Sequence, residues 1–547
     1  MPTSITRQAP LPWLTWRYSI IVFAGAVLAL IGTVVVTSRQ ARPLEIAVLD
    51  PAASPVAHAQ VRLADAIYTA DASGRLYLDR QPEADQIVVE HPGYVTATAA
   101  LPDAAAAVLE VTLQPATRGA TPQRELAAVQ AIATPPAGAT PAPRPARVQI
   151  GGKVLDAAGQ PIAGAWVAAG DRFVFTGADG VFVFEHGAVA PGEALRVFAS
   201  GYRERAAKAP ASGDALTVRL ERRPVKGIYM NPNITTTEAD VERLIELIDT
   251  TELNAIVIDI KEELVFYDTE VAFFRDAGTV TPMLDVPSLL ARLKEHNIYT
   301  IARLVVFKDG LVAERYPHLA VLDNQTGDLW RDQNGVAWVN PMMHELWHAN
   351  LELAHEAALL GFDEIQYDYV RFPTDGDMTR VAYGLENTQE NRERSITKFL
   401  EMSHQRLIPT GAKLSADVFG YTVIVEDDLG IGQNFARLAP HVDYLSPMVY
   451  PSHWPRGSLD LPGHPNDFPY ETVDISMKAA TAKLDGNGLK VRPWLQDFSF
   501  PGMMPYGDAE VRAQIDAAEA NGASGWLLWD PNNVYHPGAL EPEDGSQ

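Results

Sequence analysis

The segment Asp363–Pro373, DEIQYDYVRFP, puts three acids, two tyrosines and an arginine into what otherwise reads as a buried strand. Side chains alternate faces along a strand, so Ile365, Tyr367 and Tyr369 share one face and Gln366, Asp368 and Val370 the other. The same test on NAIVIDIK (254–261) sets Ala255, Val257 and Asp259 against Ile256 and Ile258. KLSADVFG (413–420) puts Ser415 with Asp417, and YTIARLVVF (299–307) contributes Arg303. PWLQDF ends in Gln496 and Asp497, and WLLWDP in Trp529 and Asp530. A single strand-end aspartate is commonly a helix N-cap or an ion-pair partner. Several converging on one mouth are harder to read as caps, because clustered carboxylates raise one another's pKa, the environment a general acid requires. Arg371, just past the strand, is the cation expected to hold Asp368 ionised, while Asp363 and Glu364 read as structural.

Aromatic residues gather at the same strand ends: Tyr229, Tyr367, Tyr450, Trp454, Trp494, Trp526 and Trp529. Trp494 and Trp526 read as core packing. Trp454 falls in the loop YPSHWPRGSLDLPGHPNDFPY, where no periodicity asks for burial. Carboxylates among aromatic platforms suit carbohydrate, whose C–H faces stack on rings. The candidate catalytic residues are therefore Asp368, Asp417 and Asp259. The candidate substrate-binding residues are Arg303, Arg371, Tyr229, Tyr450, Trp454, Gln496, Asp497, Trp529 and Asp530. No cofactor and no metal is expected. HELWH (His344, Glu345, His348) fits the zincin pattern, two histidines one helical turn apart with a glutamate base. The extended metzincin pattern fails, with Leu351 and Ala354 where Gly and His would stand and His355 one residue off. His344, His348, Glu352 and His355 otherwise make the polar stripe of an amphipathic helix whose buried side is Leu346, Trp347, Leu353, Ala357 and Leu360.

The elements that must position these groups lie between Lys226 and Pro537. Eight strand-like runs alternate there with amphipathic stretches: KGIYM, NAIVIDIK, YTIARLVVF, DEIQYDYVRF, KLSADVFG, DYLSPMVY, KVRPWLQDF and SGWLLWDP. Eight βα units over about 310 residues predict a (β/α)8 TIM barrel, with the active site at the C-terminal strand ends. An open doubly wound sheet is the alternative; the count of eight and the lack of a Gly-rich phosphate loop after the first strand favour the barrel.

The chain of 547 residues is too long for one core, since cores stop growing near roughly 250–300 residues. Tyr18–Ser38 is uncharged, and about 21 residues just span a hydrocarbon core of ~30 Å, so a single-pass anchor is expected after a short tail at 1–17; a cleaved signal peptide is the competing reading, disfavoured by the length of the run and the lack of a small-x-small site in TSRQARP. Arginines flank both sides, so charge does not orient it; an extracytoplasmic placement of the bulk of the chain follows from the later domains. Short alternating runs with Gly, Pro and Asp turns predict β-sandwiches at 44–115 and 148–223. The Pro/Ala/Thr-rich stretch 116–147 predicts a semi-extended linker. Against 69 acidic residues stand 44 basic ones, a net charge of −25, which argues against nucleic acid as a partner. With no cysteine, disulfides and thiolate chemistry are excluded.

Two resemblances can be stated on these residues. The second sandwich resembles the carboxypeptidase regulatory-like domain through Asp156, Pro161, Ala163–Ala165, Ala178–Gly180 and Gly201-Tyr202, and the first more weakly; such modules serve as spacers or adhesive units. The stretch 225–540, through KGIYMN, NAIVIDIK, ARLVVFKD, GFDEIQYDYVRFP, VDYLSPMVYPSHW and RPWLQDF, resembles the bacterial "putative glycosyl hydrolase" barrel domain. That resemblance implies a glycoside hydrolase acting on an envelope or extracellular polysaccharide. The layout is also similar to the α-amylase superfamily, which implies Asp368 as nucleophile and Asp417 as acid/base; that superfamily usually has glutamate on the fifth strand. A non-catalytic glycan-binding barrel and a zinc protease through HELWH are the alternatives.

Overall fold

The structure is a computed structural model; it describes residues 149–543 apart from positions 186, 211–214 and 234, together with short stretches between 44 and 113. From Val225 onward eight strands close into a parallel barrel in chain order. They are β1 (Val225–Met230), β2 (Ala255–Lys261), β3 (Tyr299–Val305), β4 (Glu364–Asp368), β5 (Lys413–Phe419), β6 (Tyr444–Met448), β7 (Trp494–Gln496) and β8 (Gly525–Trp529). All eight expected strands are present, and the open-sheet alternative is set aside. The seam pairs Val225 with Gly525. Gly525 has φ +118°, and a Cβ there would overlap the Val225 carbonyl, so only glycine closes the ring at this point.

Strand alternation separates two cores. Ile256, Ile258, Ile365, Tyr367 and Leu414 face outward and pack with helix residues such as Leu244, Leu353 and Phe399. Ala255, Val257, Ile301 and Leu527 face the axis. Helix Glu238–Asp249 shows how the outer layer is built: Thr237 forms a capping box with Asp240, and Leu244, Ile245 and Ile248 turn inward. Below the apolar layer, Arg492 donates to both carboxylate oxygens of Glu364, with Tyr299 adding its hydroxyl at 3.0 Å. Glu364 and Arg492 are both fully buried, and Asp363 accepts from Thr300. The two acids at the base of β4 are therefore structural, as expected.

Residues 150–222 form a four-stranded and a three-stranded sheet around Val154, Phe182, Leu195 and Val197. This body is fixed to the base of the barrel and is not a detached spacer. Trp166 and Phe198 pack with Ile408 and Tyr444. The Trp166 indole donates to Asp443 at 3.3 Å, and the Ser200 hydroxyl to the Asp443 carbonyl at 2.6 Å. Burial alone would push Asp443 up, but His404, Lys490 and the Leu414 amide hold it down at about 2. Residues 44–113 form a second compact unit, with a three-stranded and a four-stranded sheet sharing the core of Ile46, Val61, Ile87 and Val111. The expected anchor Tyr18–Ser38 and linker 116–147 lie outside the described residues. Among the described residues no helix is long and apolar enough to cross a membrane.

Candidate active site

The register of the barrel brings the inward-facing acids to one level. Asp259 pairs across with Arg303, Val305 with Asp368, and Asp417 with Ser446. Arg303 is the hub: one Nη donates to Asp259 and the other to Asp368, while its Nε lies 3.9 Å from Asp417 without a hydrogen bond. All four groups are buried. Burial would lower the Arg303 guanidinium, but Asp259 and Asp368 hold it well above its ordinary value, so it stays charged. Two carboxylates already share this one cation. Burial and the neighbouring Asp368 charge push the Asp417 carboxyl well above its ordinary value, against the pull of Arg303 and of the Trp494 indole, which donates to Asp417 at 2.7 Å. Burial likewise raises Asp259, against Arg303 and the Tyr229 hydroxyl that donates to it.

Above this level opens a cavity of about 490 Å³, a size typical of small-molecule sites. Arg303, Asp368, Asp417 and Arg371 reach it, and its walls include Tyr450, Trp454 and Trp529. Seven of the twelve candidate site residues thus meet in one place. The other five do not line it. Asp259 and Tyr229 lie beneath, Tyr229 stacked on Trp529 with centroids 4.0 Å apart, so they act on the site through Arg303 and Trp529. Gln496 accepts from the Ser452 amide and donates to the Phe498 carbonyl, pinning two loops. Asp497 is buried against His536 and raised by that burial to about 6. Asp530 caps its own turn through the amides of Asn532 and Val534.

Four expectations need correction. Arg371 does not pair with Asp368; Arg303 and the Tyr369 amide, at 2.6 Å, hold that carboxylate. Tyr369 does not simply continue the helix-facing side: β4 ends at Asp368 and Tyr369 takes φ +48°, which breaks the alternation, so that it only edges the outer core, against Trp338. Its ring turns to the cavity, and Val370 joins the outer core instead of the axis. Trp494 does pack in the inner core as read from the sequence, and it also lines the cavity and hydrogen-bonds Asp417. Trp454 is buried, stacked on Tyr421 with centroids 4.5 Å apart and 28° between planes. Trp526, in contrast, packs in the outer core as anticipated.

Sequence reasoning missed Phe419, Tyr421 and His453, which also line the cavity. Phe419 ends β5, Tyr421 follows just after it, and His453 sits in the loop after β6, so their position at or past the strand ends was the available signal. Glu262, one residue beyond β2, was missed as well; burial and the Asp259 charge raise its carboxyl. The HELWH residues sit at the start of helix His344–Leu360 in the outer layer. Leu346, Trp347, Leu353 and Ala357 are buried, His348 and Glu352 are exposed, and Leu360, expected inside, is exposed too. Among the described residues no group of three or more His, Asp or Glu is placed to hold a metal.

The comparisons follow the same boundaries. The model of the family described as "Putative glycosyl hydrolase domain" matches residues 227–535. Among solved structures, a hypothetical protein from Ruminiclostridium thermocellum is 32% identical, covering 35% of this chain and 97% of its own, with a TM-score of 0.32. The glycoside hydrolase domain of PgaB (BpsB) from Bordetella bronchiseptica is 11% identical over 57% of this chain and 95% of its own, with a TM-score of 0.44. That of PelA from Pseudomonas aeruginosa is 14% identical over 57% and 97%, with a TM-score of 0.35. No curated protein matches the chain. With its barrel strands, mouth acids and more than half of its length inside the matched region, the chain belongs to the glycosyl hydrolase family so described.

Proposed function

We propose that the barrel hydrolyses a glycosidic bond in a polysaccharide, with Asp417 as proton donor and Asp368 as the facing carboxylate. The observation that carries this reading is the unequal treatment of two acids in one cavity. Asp368 is ion-paired to Arg303, whereas Asp417 is buried beside that pair and pushed well above its ordinary value. Pairs of acids whose environments push them apart suit acid–base work at one pH. Asp417 would give its proton to the glycosidic oxygen as the bond to the anomeric carbon breaks. Asp368 would then either bond to that carbon or take a proton from the attacking water. The stacked pair Tyr421–Trp454, and Trp529 backed from beneath by Tyr229, supply flat apolar walls for sugar rings.

One observation favours a second reading, a barrel that binds glycan without cleaving it. Both oxygens of Asp368 are already engaged, one by Arg303 and one by the Tyr369 amide. Release of new reducing ends from a polysaccharide panel, with Asp368→Asn and Asp417→Asn alongside, separates the two. Turnover lost in both variants supports the hydrolase. Saturable oligosaccharide binding with no turnover supports the scaffold. The remaining architecture belongs to the same proposal: a membrane anchor at Tyr18–Ser38, carboxypeptidase regulatory-like modules at 44–115 and 148–223, and an extracytoplasmic barrel. Partition of the full chain into the membrane fraction, abolished by deleting 1–38, tests the anchor.

A further inference from the structure

Arg371 is a buried cation to which the described residues supply no close anion. It is 5% exposed, yet among the described residues no carboxylate lies within ion-pair distance of it. Asp368, Asp375 and Asp332 act on it only at longer range. Among the described residues its side chain makes one hydrogen bond, from Nη1 to the Phe372 carbonyl at 3.0 Å, out of the five N–H donors a guanidinium carries. Rings hold it in place: its Cζ lies 4.5 Å from the Phe419 centroid, 4.9 Å from Trp338 and 5.0 Å from Tyr369. Aromatic faces attract the cation but accept none of its in-plane donors.

Two further observations point the same way. Arg371, Tyr369 and Phe419 all line the cavity that Asp368 and Asp417 enter. Tyr369 holds a left-handed conformation that is costly for a bulky aromatic, and this conformation turns its ring to Arg371. The same ring carries a second cation, Lys308, whose Nζ is 4.9 Å from its centroid. A planar fork held by its faces, with free edge donors in a cavity, is the arrangement that receives a carboxylate on two parallel bonds.

Resting on the reading of this cavity as a glycan site, we infer that Arg371 forms an anion-recognising subsite and that the substrate carries an acidic sugar, a uronate carboxylate seated on the Arg371 edge. The acidity of the whole chain, −25, does not decide this, because charges beyond about 10 Å are screened at ordinary salt.

The test uses the full chain and needs no variant at first. Turnover and binding are measured on polyuronates, on the same polymers with their carboxyls reduced to alcohols, and on sulfated and plain neutral glycans. The expected result is a preference for the uronate over its reduced form of about 10- to 150-fold, the worth of a charge-assisted hydrogen bond. That ratio should shrink with added salt and collapse towards one in Arg371→Met. Arg371→Lys, which keeps the charge and loses the fork, should restore part of it. Equal action on the uronate and its reduced form overturns the inference, as does a preference for sulfate alone. Cleavage of neutral glycans only would leave the hydrolase standing and remove this inference. Uronate binding lost in Arg371→Met, with no turnover of any polymer, would do the reverse.

Discussion

Replacing Arg303 with methionine is the perturbation that most directly probes how the mouth of the barrel is held together. Among the described residues Arg303 is the only guanidinium in contact with Asp259 and Asp368, whose side chains are 0% and 9% exposed. Without it, Asp259 keeps the Tyr229 hydroxyl and Asp368 keeps the Tyr369 amide, but neither keeps a cation. Removing one side of a buried ion pair costs about 3–5 kcal/mol, because the orphaned charge stays desolvated. With a urea m value near 3 kcal/mol/M, that lowers the unfolding midpoint by about 1–1.7 M. The variant's deficit should also depend on pH. Burial already raises the Asp259 carboxyl and Arg303 pulls it down, so without the cation it rises further and the native variant binds a proton that its unfolded chain does not. The variant therefore gains stability relative to wild type as pH falls from 7 towards 4, and loses it again on the way back. Urea unfolding followed by tryptophan fluorescence at pH 7 and pH 4.5 measures both effects. Adding Asp259→Asn to Arg303→Met should recover part of the loss, since the two residues are in contact. A deficit under about 1 kcal/mol at pH 7, or one independent of pH, would refute the hub role, which rests on the cost of orphaning a buried charge and on the contacts at Arg303.

Further outcomes follow from neighbouring groups. Asp417 has a folded pKa raised above its unfolded value, so its contribution is present at low pH and lost as pH rises; Asp417→Asn should raise the melting temperature at pH 7 relative to pH 4 while removing turnover, measured by calorimetry. The Trp494 indole lowers Asp417 by hydrogen bonding, so Trp494→Phe should move the alkaline limb of the rate profile to higher pH. Asp443, depressed to about 2 at the junction with the preceding sheets, contributes stability above its unfolded pKa that is lost as pH falls through the folded one. Asp443→Asn should therefore cost about 2 kcal/mol at pH 7 and progressively less below pH 4 in denaturant unfolding.

The barrel was legible in the sequence because parallel strands covered on both faces must be apolar and short, and their alternation sorts inward from outward residues. Asp259, Arg303, Asp368 and Asp417 were placed inward by that rule alone. The rule fails where a strand stops. Tyr369 takes a left-handed φ one residue after β4, and from there the phase of the pattern no longer holds. The same limit explains Gln496, Asp497 and Asp530: they lie at or beyond the ends of β7 and β8, where loop amides and His536 compete for their side chains. The partner of Asp368 was misread for a different reason. Arg371 is nearest along the chain, but Arg303 is nearest across the barrel, and only the register between β3 and β4 reveals it. Likewise nothing in the local pattern joins Glu364 to Arg492, which are 128 positions apart.

Hydrolysis by the Asp368 and Asp417 pair is tested most directly by the release of new reducing ends from polysaccharide by wild type, Asp368→Asn and Asp417→Asn, each shown to be folded. Wild type should cleave at least one polymer, and each variant should be slower by about 10²–10⁴-fold, the range expected for a positioned acid or base. Wild-type rates in either variant, or no cleavage of a polymer that the protein demonstrably binds, would contradict hydrolysis by this pair.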